Sequence, residues 1–245
     1  MLKNRDIPKE LICFNSLFFK FQNRFELSLV FNDFLTIVIC CLGHGTQEPL
    51  YFETIKKYSK EELNTFCKLF AEILIIYENA NKDKRWCDPL GDYYECLASN
   101  YKKSALGQFF TPKHLCDMIA QITAEPENFG KKINEPCSGS GRMVLAFNHV
   151  SKGNYFVCED IDEICCKMTA INMCMHEIRG EVHCHDVIRG DSDRFAMAIN
   201  YDFWKHKTKL YITIIDLKRL KSSRFFMPKK IPQLHCGITS EFFFL

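Results

Sequence analysis

The sequence predicts an α/β protein in which a helical domain precedes a sheet domain. Three observations carry that expectation. Apolar residues recur at helical spacing up to about residue 105; after Gly107 short apolar strands alternate with helices; and a Gly-Ser-Gly turn joins the first of those strands to the helix behind it. The expected division is therefore a helical unit over 1–105 and an α/β unit over 106–245. A chain of 245 residues holds one large domain or two small ones with a sizeable core.

In the first unit, Val30, Phe34, Val38 and Cys41 form one apolar series, and Leu63, Phe66, Phe70, Ile73 and Tyr77 form another. Ser59 with Glu62 makes a capping box at the start of the second series. Asp88-Pro89 marks a further helix start, an N-cap followed by proline at the first helical position. Thr111-Pro112 repeats that pair, and Leu115, Met118, Ile119 and Ile122 supply the apolar face of the helix it begins. Strands are then expected over 131–135, 155–160 and 181–185, with helices from Arg142 and from Asp162 to about His176. That alternation implies right-handed βαβ units and a parallel sheet. Phe195 to Ile199 and Leu210 to Ile215 read as further strands.

Composition narrows the function classes. With 47% apolar and 25% charged residues the chain reads as an ordinary globular protein, which excludes a disordered tail or a collagen-like repeat. Charge is nearly balanced, yet unevenly placed. Positions 205–230 hold nine basic residues and one acid, a local +8, and the other 23 basic and 29 acidic residues sum to −6. Together with Trp204, Tyr211, Phe225 and Phe226, this basic segment suits phosphate contact and base stacking. Met1 to Glu10 is polar, and the longest apolar run, Leu27 to Leu42, contains Asn32 and Asp33 and is too short to span a bilayer, so it reads as a buried helix. The 14 cysteines include no Cys-x-x-Cys pair and read as small core residues in a reducing cytosol; the expected location is cytoplasmic, without membrane. His183-Cys184-His185 has no fourth ligand at a recognised spacing, so no metal is expected.

The chemistry-bearing segment is Glu135-Pro136-Cys137-Ser138-Gly139-Ser140-Gly141. Gly139 and Gly141 let the backbone turn tightly and approach a ligand, and the helix behind them offers free N–H groups. The third glycine of a dinucleotide fingerprint and the Lys-Ser/Thr of a P-loop are both absent, which disfavours nicotinamide dehydrogenases and P-loop NTPases. The next strand ends in Glu159-Asp160, where a carboxylate can accept from both ribose hydroxyls, and the third ends at Asp186, an acceptor suited to an exocyclic amino group. Ligands in open α/β sheets bind at these carboxyl ends, so the three segments should converge.

Gly107-Gln108-Phe109-Phe110-Thr111-Pro112, the 135–141 turn, the acid at 160 and Asp186 together resemble the motif series of N6-adenine DNA methyltransferases, in the branch of the type I restriction-modification methylase subunits. The resemblance covers about residues 20–200. It implies a Rossmann-like, S-adenosylmethionine-dependent methyltransferase sheet and DNA as partner. Thr111 and the turn residues Glu135, Pro136, Cys137, Gly139, Ser140 and Gly141 would hold the methionine end of the cofactor. Asp160 would take the ribose, with Glu159 as the fallback; Ile161 would pack on adenine, and Asp186 would accept from its amino group. The family's catalytic Asn/Asp-Pro-Pro-aromatic element has no counterpart, because none of the eight prolines is adjacent to another. The nearest substitute is Asn200-Tyr201-Asp202-Phe203, so the catalytic residues stay unassigned. Only 59 residues follow Asp186, and Phe242-Phe243-Phe244-Leu245 is apolar, so either a partner subunit completes the fold or the chain is truncated. A cofactor- or DNA-binding subunit without transfer activity is the alternative reading, and methylation of another substrate is a third.

Overall fold

In the computed structural model, residues 7–101, 110–125, 127, 129–201 and 210–215 are described. The expected boundary at residue 105 lies outside them, as do Gly107, Gln108 and Phe109, Trp204, the 205–209 and 216–230 parts of the basic segment, and the apolar end.

Five helices come first: α1 (Ile12–Phe18), α2 (Leu27–Leu42), α3 (Glu48–Ile55), α4 (Lys60–Lys82) and α5 (Pro89–Tyr101). α2 is buried along most of its length from Val30 on, as its composition requires, although Ser28, Leu29 and Cys41 face solvent. The Ser59 hydroxyl accepts from the Glu62 N–H and the Glu62 carboxylate from the Ser59 N–H, closing the capping box that starts α4; such a cap contributes about 1 kcal/mol. Phe14, Phe18, Phe21, Phe31, Phe34 and Tyr93 are fully buried against one another. Phe14 meets the Tyr93 ring edge-on at 4.7 Å, a preferred aromatic geometry.

Then come α6 (Lys113–Thr123), β1 (Lys132–Glu135), α7 (Arg142–Val150), β2 (Tyr155–Asp160), α8 (Glu163–Met175), β3 (Arg179–Cys184), β4 (Phe195–Ile199) and β5 (Ile212–Ile215). The strands lie in the order β1-β2-β3-β4-β5. The first two pairings are parallel, each joined through a helix, in agreement with the expected βαβ units. The last two are antiparallel, so the parallel sheet implied by the alternation up to residue 185 ends at β3. Only residues 185–194 separate β3 from β4; a parallel return needs a crossover of about a dozen residues or more, so β4 must run back beside β3.

One face of the sheet, with Phe156, Cys158, Val182, Cys184, Met197 and Ile199, joins the same apolar cluster as the aromatic residues of the helical region. The other carries Lys132, Asn134, Glu159, Glu181 and His183, as the two-residue alternation along a strand demands. α6 also departs from expectation. Leu115, Met118 and Ile122 are exposed, whereas Cys116 and Ala120 are buried against Ala146 of α7. Close approach of two helices selects the small side chains, not the largest apolar ones.

Candidate cofactor site

β1 ends at Glu135 and α7 begins at Arg142, so the turn between them stands at the carboxyl end of the parallel strands. Gly139 (φ 55°) and Gly141 (φ 89°) both occupy the left-handed region. A Cβ on Gly139 would lie 3.0 Å from the Phe110 ring, so the segment ahead of α6 rests directly on the turn. α8 fixes the turn's carbonyls: the Thr169 hydroxyl donates to the Gly139 carbonyl at 2.8 Å and Asn172 Nδ2 to the Ser140 carbonyl at 2.7 Å.

Asp160 faces this turn. Its Oδ2 accepts from the Gly139 N–H at 2.8 Å and its Oδ1 from the Asp162 N–H at 2.8 Å. Glu159, the neighbour of opposite facing, accepts from Asn134 Nδ2 and lies 3.0 Å from His185 Nε2 on the far side of the sheet. Burial pushes the Asp160 carboxyl upward from its ordinary value, and the two N–H donors offset part of that rise. Glu135, half-buried at the end of β1, is likewise pushed upward by burial, and its Oε1 accepts from the Cys137 N–H at 3.4 Å. Cys137 and Pro136 are exposed, Ser140 is buried, and Ile161 is exposed at 59% beside Asp160.

Two other site residues take structural partners. The Asp186 carboxylate accepts from the Ile188 and Arg189 N–H groups at 3.0 and 3.1 Å, closing the turn after β3. Thr111 is exposed and its carbonyl accepts from Arg142 Nη1 at 3.4 Å. Pro112, one residue later than expected, is the N-cap of α6 and makes no side-chain cap bond.

Residues 85–201 match the family model of the N-6 DNA Methylase. This stretch of the chain is similar to an N-6 DNA methylase domain. The crystal structure of a type I restriction-modification system methyltransferase subunit from Streptococcus thermophilus is similar at 19% identity and a TM-score of 0.40, over 58% of this chain and 31% of that one. The chain thus spans about a third of that subunit's length.

Within the matched stretch, Asn200 is a framework residue. It is 1% exposed with φ 51°, its Nδ2 donates to the Ile178 carbonyl at 2.9 Å, and its Oδ1 accepts from the Tyr211 N–H at 2.9 Å. Because β4 is antiparallel, its end pairs with Gly180 at the start of β3, and this carries Asn200 away from the glycine turn. Phe203 and Asp202 lie outside the described residues. Tyr211, read from sequence as a stacking aromatic, is buried and stacks on His44 at 5.7 Å, because it leads into β5. His183 and His185 share a face, and Asp193 sits 2.9 Å from His183 Nδ1; among the described residues no three ligating side chains converge on a metal position.

One residue bonded to the turn escaped the sequence reading. Asp88, expected only as a helix cap, is fully buried against the turn. Its signal was present: Asp88, Asp92 and Glu95 recur four and three residues apart on one helix face, a spacing that calls for a cation.

Proposed function

We propose that the methylase domain binds S-adenosylmethionine at the carboxyl ends of β1, β2 and β3 and serves adenine-N6 methylation of DNA. The observation that supports this most is the Asp160 carboxylate bonded to the Gly139 N–H, with Ile161 exposed next to it. An acid for ribose hydroxyls, an apolar side chain for an adenine face and a backbone free of Cβ stand within one hydrogen bond of each other. Each oxygen of Asp160 keeps a lone pair beyond its present N–H donor, so the residues fit a nucleoside.

The cofactor would supply the methyl group; the chain's residues would bind and orient it. Thr111 and the turn from Glu135 to Gly141 would take the methionine end and Asp160 the ribose. Asp186 would accept from the adenine amino group through the acceptor capacity that its two N–H donors leave. DNA phosphates would meet the basic segment 205–230, where removing one phosphate-binding cation should lower the salt dependence of binding by about one unit. No helix among the described residues is long and apolar enough to cross a membrane, and the reading is of a cytoplasmic protein that works with a partner subunit for target recognition.

Calorimetric titration tests this. Gly139→Val and Asp160→Ala should each lose ~1–3 kcal/mol of cofactor binding, and no binding heat for the unmodified chain at millimolar S-adenosylmethionine would overturn the reading. The buried, framework role of Asn200 favours a second reading, cofactor binding without methyl transfer by this chain alone. Transfer of tritium from labelled cofactor to DNA separates the two.

A further inference from the structure

Four donors surround the Asp88 carboxylate. The Gly91 N–H and Asn172 Nδ2 reach Oδ1 at 2.8 and 2.7 Å, and the Ser140 hydroxyl and Arg142 Nε reach Oδ2 at 2.6 and 2.7 Å. Ser140 and Arg142 are the two residues on either side of Gly141, and Asn172 holds the Ser140 carbonyl as well. α5 approaches so closely that a Cβ on Gly91 would lie 2.0 Å from Asp88 Oδ2 and 2.5 Å from the Ser140 hydroxyl. One acid at the start of α5 is therefore bonded to both ends of the second half of the glycine turn.

Arg142 sharpens the point. It is the first residue of α7, where a cation opposes the helix dipole, and it is 5% exposed. Its guanidinium is compensated from α5, by Asp88, by Asp92 at 3.0 Å and by Glu95 at 2.8 Å. Buried ion pairs are poor sources of net stability, and an apolar replacement often serves as well. Charge-assisted bonds to a single carboxylate supply directionality instead. The network converges on the turn, and Arg142 Nη1 extends it to the Thr111 carbonyl ahead of α6.

We infer that Asp88 is a positioning residue for the cofactor turn: through Ser140 and Arg142 it holds Gly139 to Gly141 in the conformation that receives the ligand, so that α5 sets cofactor affinity. The inference rests on the cofactor reading above and adds a residue outside the turn to it. Asp88 would touch no ligand atom and would act only through the turn.

The test pairs two readouts on the full chain. Asp88→Asn keeps the side chain's shape but offers an NH2 group where one oxygen now accepts. Hydrogen exchange of the free protein should quicken at least tenfold in peptides spanning 135–145 while those of β2 and β3 keep their protection. Titration with S-adenosylhomocysteine should show at least tenfold weaker affinity. Ser140→Ala, which removes one of the four donors, should shift both readouts in the same direction by less, and the double variant should add little to Asp88→Asn. If Asp88→Asn fails to fold, Ser140→Ala decides by the same measurements. Unchanged exchange over 135–145, quickened exchange with unaltered affinity, or uniform loosening of every peptide would each overturn the inference. If the unmodified chain binds no S-adenosylhomocysteine, the cofactor reading falls and takes the affinity claim with it, and the exchange arm alone decides whether Asp88 holds the turn.

Discussion

Asp160 and Asn200 stand at opposite ends of the same sheet. Asp160 is level with Cys184 and through it with Phe195, the first residue of β4, whereas Asn200 follows Ile199, the last. Five residues of strand separate the two levels, roughly 16 Å at about 3.3 Å per residue. Asn200 instead ties the end of α8 to the entry of β5.

Asn200→Ala should therefore act on stability. It removes bonds to the Ile178 carbonyl and the Tyr211 N–H and places alanine at φ 51°. The expected loss is ~2–4 kcal/mol from unpaired buried groups and left-handed backbone. Denaturant unfolding measures it, and cofactor affinity of the folded fraction should stay unchanged.

Arg142→Ala should cost ~3–5 kcal/mol, because it strands the fully buried Asp88 without its counter-charge and leaves Asp92 paired with Lys113 alone. Glu95→Gln should cost less than about 1 kcal/mol, since that carboxylate is 43% exposed and screened by water. Thermal melts of the two variants, side by side, read the difference.

Tyr155→Phe should be neutral or stabilising by up to about 1 kcal/mol. Tyr155 is 3% exposed, and its hydroxyl has no hydrogen-bond partner among the described residues. Folding dehydrates that group without a bond in return, a penalty phenylalanine avoids. A lower melting temperature for the variant would point to a bound water there.

Two histidines should give opposite pH dependences. Burial pushes His176 below its ordinary value, with Nε2 accepting from the Cys87 N–H. Its contribution to stability is full above the unfolded value of about 6.5 and is lost as pH falls through the folded one. Burial also pushes His183 down, but hydrogen bonds to Glu181 and Asp193 outweigh it and the net shift is upward. Its contribution is full below about 6.5 and is lost as pH rises through the folded value. Melts between about pH 5 and pH 8 should show His176→Gln losing less stability than the unmodified chain on acidification, and His183→Gln losing more.

Local signals made much of this fold legible. The Ser59–Glu62 box, the Asp88-Pro89 helix start and the strand-helix alternation from Lys132 to Cys184 each depend on neighbours a few residues apart, and each stands where the spacing put it. The direction of β4 was also within reach, because ten residues between β3 and β4 are too few for a crossover. The buried face of α6 was not, since Cys116 and Ala120 win their place through the shape of α7, and hydrophobicity ranks them below Leu115 and Ile122. Asp88 was hidden for a similar reason: its cation lies 54 residues away. Helix spacing reveals three aligned acids but not the distant guanidinium that neutralises them.

Most of the described thiols in this cysteine-rich chain are buried. Burial raises Cys40 and Cys116 to about 11 and Cys87 to about 12, so at neutral pH they hold almost no thiolate for an alkylating reagent to find. Cys13, Cys41 and Cys67 are exposed, all on helices remote in sequence from the turn, and Cys137 is exposed within it. Mass-resolved alkylation can thus footprint Cys137 against internal controls in the same molecule, and a ligand seated on the turn would leave its shadow on that one sulfur.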